Sequence, residues 1–171
     1  MGMNIREELK RRAADAAVEQ VQSGMVLGLG SGTTVSHALQ SLAEMLRAGK
    51  LDGICGVPSS IQTEKRAKEL GIPLTSLDWH PVLDLTIDGA DEVDPDLNLI
   101  KGGGGALLRE KVLAQASRRT VIIIDQGKLS PRLGSHWPLP VEVIHFAVKS
   151  IKNYLTSIGA SVESRQTSPG K

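Results

Sequence analysis

Aromatic side chains are scarce in this chain: its 171 residues include only Trp79, Trp137, Phe146 and Tyr154. Aliphatic groups must therefore fill the core. Single-stranded nucleic-acid binders lay bases on aromatic rings along a basic groove. With 20 Lys and Arg against 19 Asp and Glu, for a net charge of +1, the chain supplies neither, so no nucleic-acid partner is expected. Long apolar runs are lacking too. Stretches such as 25–29 and 121–124 fall far short of the roughly 20 residues that cross a bilayer, so no membrane segment is expected. Cys55 is the single cysteine, which excludes an intrachain disulfide and makes the cytoplasm the default location. The charged start, with Arg6, Glu7, Glu8, Lys10, Arg11 and Arg12, lacks the form of a signal peptide. His37, His80, His136 and His145 show no metal-ligand spacing, so no metal site is expected.

What is present is an alternation of helical and strand periods, the pattern of an α/β fold with a largely parallel sheet. Asn4 and Glu7 resemble a capping box, after which Ile5, Leu9, Ala13, Ala16, Ala17 and Val21 share a helical face ending near Ser23 and Gly24. A strand over 25–29, a turn over 30–33 and a helix over 34–46 form a strand–turn–helix unit. A second unit has a strand over 54–57 and a helix over 61–70 stopped by Gly71. Residues 73–77 and 82–87 read as strands, 88–96 as an acidic loop, and 106–116 as a helix opened by glycines. The run 121–124 reads as a central strand. Pro131, Pro138 and Pro140 then mark a change of texture, and β-α-β is expected from strands over 141–144 and 160–165 around a helix over 146–158. The expectation is a Rossmann-like α/β domain over 1–129, with helices on both faces of the sheet, then a partial α+β domain over 130–171.

Three clusters could carry chemistry. Gly28-Leu29-Gly30-Ser31-Gly32-Thr33-Thr34 lies between a strand and a helix, where backbone N–H groups and hydroxyls suit a phosphate or carboxylate. An ordinary βα turn has the same outline. It is not the dinucleotide fingerprint, because the third glycine comes one place early, nor a P-loop, because no Gly-Lys-Ser/Thr follows. Asp88-Gly89-Ala90-Asp91 follows an apolar strand at its C-terminal end, where open α/β sheets bind ligands. Carboxylates there can hold sugar hydroxyls, bind a divalent ion, or raise each other's pKa enough for proton transfer. A solvated acidic turn is the bland alternative; Glu92, Asp94 and Asp96 read as surface charges. Lys101-Gly102-Gly103-Gly104-Gly105 precedes a helix bearing Arg109, Glu110 and Lys111. Four consecutive glycines cost chain entropy that only a required backbone shape justifies. Lys101 and Glu110 could remove a proton and stabilise the resulting oxyanion, although by spacing alone Glu110 could equally be helix surface. Lys128 could reach the same sheet edge; Cys55 reads as core.

In this order, GLGSGTT, VPSSIQT, IDGADEVD, KGGGGALLREK, DQGKL and PLPVEVI closely resemble ribose-5-phosphate isomerase of the type A class, as far as about Arg165. The resemblance implies interconversion of ribose 5-phosphate and ribulose 5-phosphate in the non-oxidative pentose phosphate pathway. It implies no metal or organic cofactor, and a homo-oligomer, dimer or tetramer. Glu110 matches the family's base. Ser31, Gly32, Thr33 and Thr34 would line the substrate site with Asp88, Gly89, Ala90, Asp91, Lys101, Gly102, Gly103, Gly104 and Lys128. By the same resemblance Asp88, Asp91 and Lys101 would join Glu110 in the chemistry. Leu108 stands where the family usually has threonine. The family continues past the arginine matching Arg165 through a T-D-N-G-N-type segment; Thr167 to Lys171 do not match it, so an incomplete small domain is expected.

A second reading is a sugar-phosphate-binding module without catalysis, such as a regulator's effector domain, or an inactive fragment of the same fold. Glu110 with Lys101 argues for the enzyme, since a sensor needs a phosphate cradle but no base. No helix-turn-helix pattern precedes residue 25, which also counts against a regulator.

Overall fold

The structure, a computed structural model, describes residues 5–165. Four short parallel strands make the main sheet: β1 (Val26–Leu29), β2 (Cys55–Pro58), β3 (Leu85–Asp88) and β6 (Thr120–Ile122), in the order β2-β1-β3-β6. The intervening elements are α1 (Ile5–Val18), α2 (Thr33–Arg47), α3 (Ile61–Leu70), β4 (Glu92–Val93), β5 (Leu99–Ile100) and α4 (Leu107–Ala116). This is the expected Rossmann-like α/β arrangement.

The two faces of the sheet follow from strand alternation. Leu27 and Leu29 of β1 pair in register with Leu85 and Ile87 of β3. These four pack against Ala14, Ala17 and Val18 of α1, Val35, Leu39 and Leu42 of α2, and Ala67 of α3. A fully buried aliphatic side chain of this kind contributes roughly 2 kcal/mol. On the other face Val57 and Leu83 meet Leu113 of α4. Gly28 lies opposite Thr86 on that face, and a Cβ there would collide with the Thr86 hydroxyl. The hydroxyl instead hydrogen-bonds with that of Ser117 at 2.6 Å.

Helix termini follow local chemistry. The Ser60 hydroxyl caps α3 by accepting the Thr63 N–H at 3.1 Å, and Gly71 closes it in the left-handed region at φ 77°. The expected capping role of Asn4 lies outside the described residues, as do Thr167 to Lys171.

Several expectations are corrected. α1 ends at Val18, and its buried face runs through Ala14, Ala17 and Val18, with Ile5, Leu9 and Ala16 exposed. Residues 73–77 form only an isolated bridge between Leu74 and Gly56, since Pro73 has no N–H to donate to a ladder. Among the described residues strand β6 is an edge, not a centre, pairing with β3 alone, because crossover order rather than apolar content decides strand position. Within the acidic segment, Glu92 and Val93 form β4 and pair antiparallel with β5. Glu92, read as a surface charge, is fully buried.

The chain divides into two compact units, Met1–Pro140 and Val141–Lys171. The first includes residues 130–140, tied to β4 by the Ser130 N–H donating to the Val93 carbonyl at 2.8 Å. The second contains a 3-10 turn, His145–Ala147, and α5 (Val148–Ser157). The strands expected over 141–144 and 160–165 do not form. Extended segments need a pairing partner, and the described part of this unit holds no strand to pair with. Among the described residues no helix is long and apolar enough to cross a membrane.

Candidate active site

The strand order reverses direction between β1 and β3: from β1 the chain steps to β2 on one side, then returns to β3 on the other. A crevice opens at the C-terminal ends of strands at such a switch point. Gly30 and Ser31 leave β1 there, beside Asp88 and Gly89 leaving β3. The Gly30 N–H donates to the Ile87 carbonyl at 2.9 Å, drawing the two ends together. A Cβ on Gly30 would run into the Asp88 carboxylate and lie 2.7 Å from its Cα, so only glycine allows this approach.

Asp88 is buried, and both carboxylate oxygens are engaged. Oδ1 accepts the N–H groups of Ser31 at 3.1 Å and Gly89 at 2.8 Å. Oδ2 accepts from the Lys101 ammonium at 2.8 Å, which also donates to the Gly89 carbonyl and lies 3.2 Å from Glu110 Oε2. Lys101 thus bridges two buried carboxylates while keeping 18% of its side chain exposed.

α4 aims Glu110 inward. Glu110 and Leu113, three residues apart, share the buried face, while Leu108, Arg109 and Lys111 point outward. Rotation about the helix axis thus excludes the helix-surface alternative for Glu110. Burial pushes the Glu110 carboxyl above its ordinary value, and the Asp88 charge adds to this; Lys101 opposes both, and Asp91 adds a smaller push upward. The result is a buried carboxylate with increased proton affinity beside a fixed cation.

The glycine run wraps the other side. Gly102, at φ 99°, and Gly105, at φ 79°, adopt backbone that disfavours other residues. The Gly103 N–H donates to Asp91 Oδ2 at 2.7 Å, and a Cβ on Gly103 would lie 2.7 Å from Asp91 Oδ1 and 2.8 Å from Trp137 Cζ2. Asp91 in turn is held by its N–H to the Ile100 carbonyl at 2.8 Å.

Other expected residues sit further out. Gly32 and Thr33 are exposed at the start of α2, and Thr34 and Ala90 are half-buried. Lys128 has its ammonium 5.4 Å from the centre of the Trp137 ring. Cys55 is half-buried on β2, where burial and then the Asp84 charge push its thiol up, away from nucleophilic use.

A hydroxyl cluster was not singled out from the sequence as part of the site. The Ser31 hydroxyl donates to that of Ser60 at 2.8 Å and lies 2.8 Å from that of Ser59 and 3.2 Å from that of Thr63. Thr63 donates to the Gly30 carbonyl at 2.8 Å. The signal was in the register: Leu29 pairs with Pro58, so the next residues of both strands emerge side by side.

The sequence pattern of ribose 5-phosphate isomerase A (phosphoriboisomerase A) matches residues 55–171. This chain belongs to the ribose 5-phosphate isomerase A family. It is 54% identical over 169 residues to ribose-5-phosphate isomerase A of Desulfatibacillum aliphaticivorans, covering 99% of this chain and 74% of that protein. Its identity with the Chloroflexus aurantiacus protein of the same name is 53% over 165 residues, covering 96% and 69%. A solved D-ribose-5-phosphate isomerase in complex with phospho-erythronic acid superposes with a TM-score of 0.94 at 40% identity, covering 98% of this chain and 73% of that one. The Lys101–Glu110 pair and the glycine run thus lie in a chain of an isomerase family.

Proposed function

We propose that this chain interconverts ribose 5-phosphate and ribulose 5-phosphate through an enediolate, with Glu110 as the base. The observation that carries the roles is the Lys101 ammonium lying 2.8 Å from Asp88, at the C-terminal end of β3, and 3.2 Å from Glu110. In the open-chain aldose, Glu110 takes the proton from C2 and returns it to C1. The proton of the C2 hydroxyl moves to O1, so the aldehyde becomes an alcohol and C2 becomes the ketone. Negative charge develops on the oxygens between these steps, and Lys101 is the fixed cation that stabilises it. A raised proton affinity suits Glu110 to accept from carbon near neutral pH. Asp88 and Asp91 orient hydroxyls and assist proton movement during ring opening.

The phosphopentose is held, in this reading, by the β1–α2 turn from Ser31 to Thr34, by residues 88–91 and 101–104, and by Lys128. The phospho-erythronic acid bound by the solved relative is a phosphorylated sugar acid, which supports a substrate of this class. Cytoplasmic location and a homo-oligomeric state, dimer or tetramer, belong to the same proposal. The test is turnover of ribose 5-phosphate in D2O, where an enediolate route leaves deuterium at C1 of the ketose in the fraction of turnovers in which the proton held by Glu110 exchanges with solvent. Thermal stabilisation by the sugar phosphate with no turnover would instead favour a binding module.

A further inference from the structure

We infer that Trp137, anchored by the buried carboxylate of Glu92, is a positioning residue that holds Lys128 and the Gly103 turn in place for the substrate. The inference rests on the isomerase reading and gives Trp137 and Glu92 a part that the described chemistry does not use.

Its starting point is a charge where none is expected. Glu92 is fully buried, directly after Asp91 in β4. Asp91 holds the Gly103 N–H on one side, while Glu92 turns to the segment that follows Lys128. There its carboxylate accepts three consecutive backbone N–H groups: Gly134 at 2.8 Å, Ser135 at 3.1 Å and His136 at 3.1 Å. Burial by itself pushes this carboxyl up, but the Ser130 side chain and these N–H groups outweigh it and hold it below its ordinary value. A buried ion so fully hydrogen-bonded fixes the path of the chain it grips.

The next residue in that path is Trp137. Its ring edge lies on Gly103, where a methyl group would come within 2.8 Å of Cζ2, and the Lys128 ammonium sits over its face at 5.4 Å. The indole therefore touches both the glycine turn that Asp91 holds and the lysine expected to meet the substrate. Val93, next to Glu92, fixes the near end of the same segment by accepting the Ser130 N–H at 2.8 Å. Both ends of the segment thus hang from the two residues of β4. A lysine is a flexible point charge, and an aromatic face beneath it reduces the freedom lost when it meets an anion.

The experiment measures kcat and KM for ribose 5-phosphate, and the dissociation constant of phospho-erythronic acid by calorimetry, in Trp137→Leu, Trp137→Phe, Lys128→Met and Trp137→Leu/Lys128→Met. Trp137→Leu is expected to raise KM and the dissociation constant about tenfold, with kcat within about twofold. Trp137→Phe recovers most of the loss, and the double variant is no weaker than Lys128→Met alone. Glu92→Gln shifts KM in the same direction, and Trp137, made the sole indole by Trp79→Phe, changes its emission on binding. An unchanged KM and dissociation constant in Trp137→Leu, or losses that simply multiply in the double variant, overturn the inference. If the wild type binds phospho-erythronic acid but turns nothing over, the isomerase reading fails while the dissociation constants still decide the role of Trp137. Absence of binding by the wild type overturns both.

Discussion

Replacing Glu110 by Gln is the perturbation with the sharpest expected outcome. The amide matches the carboxylate in shape, so the inward face that Glu110 shares with Leu113 keeps its packing. It cannot accept the C2 proton. Removing a positioned general base costs roughly two to four orders of magnitude in rate. A loss of about a thousandfold in kcat, or about 4 kcal/mol of barrier, is the expectation. Lys101 keeps Asp88 at 2.8 Å, so substrate contacts persist and KM changes little. Stability should move the opposite way. Burial, then Asp88, raise the Glu110 carboxyl above its ordinary value, so the ionised form is disfavoured in the folded state. Its contribution is therefore fully favourable below the ordinary carboxylate value and is lost as pH rises through the raised one. At neutral pH the Gln variant should melt no lower than the wild type. Initial rates of ketose formation and a calorimetric melt check both. Activity within tenfold of wild type would refute the assignment of the base, and a clearly lowered melting temperature would refute the account of its burial.

The raised Glu110 carboxyl also predicts that kcat/KM falls, as pH drops, at a value above that of an ordinary glutamate; a pH–rate profile with its acid limb in the ordinary carboxylate range would contradict this. Lys101→Met leaves Asp88 and Glu110 buried without their shared cation and should cost about 3 kcal/mol in urea unfolding, besides moving the acid limb further up. Gly30→Ala forces a methyl group onto Asp88 and should cost about 2 kcal/mol and nearly all activity; an unaltered melt would show that β1 and β3 can part without harm.

Much of the fold was legible because its signals are local. Alternating periods, Gly71 at the end of α3 and the apolar face of α2 all act within a few residues. The same holds for the chemistry-bearing motifs, which cluster where glycines allow close backbone approach. Residues 121–124 read as a central strand because apolar content reports burial and not pairing order, which depends on how crossovers traverse the sheet. Glu92 reads as a surface charge because an acidic residue among acidic residues resembles solvent-facing chain. Its partners, the N–H groups of residues 134–136, lie more than forty positions away.

By itself the amino-acid sequence determined the α/β class, the strand–turn–helix units and the types of group available for proton transfer. Each depends on side chains and backbone preferences close together along the chain. Only the tertiary structure decided that α4 turns Glu110 inward, that one ammonium serves both Glu110 and Asp88, and that Glu92 is an anchor. Those outcomes depend on burial and on partners brought together from different elements, and a charge acquires its proton affinity from such surroundings.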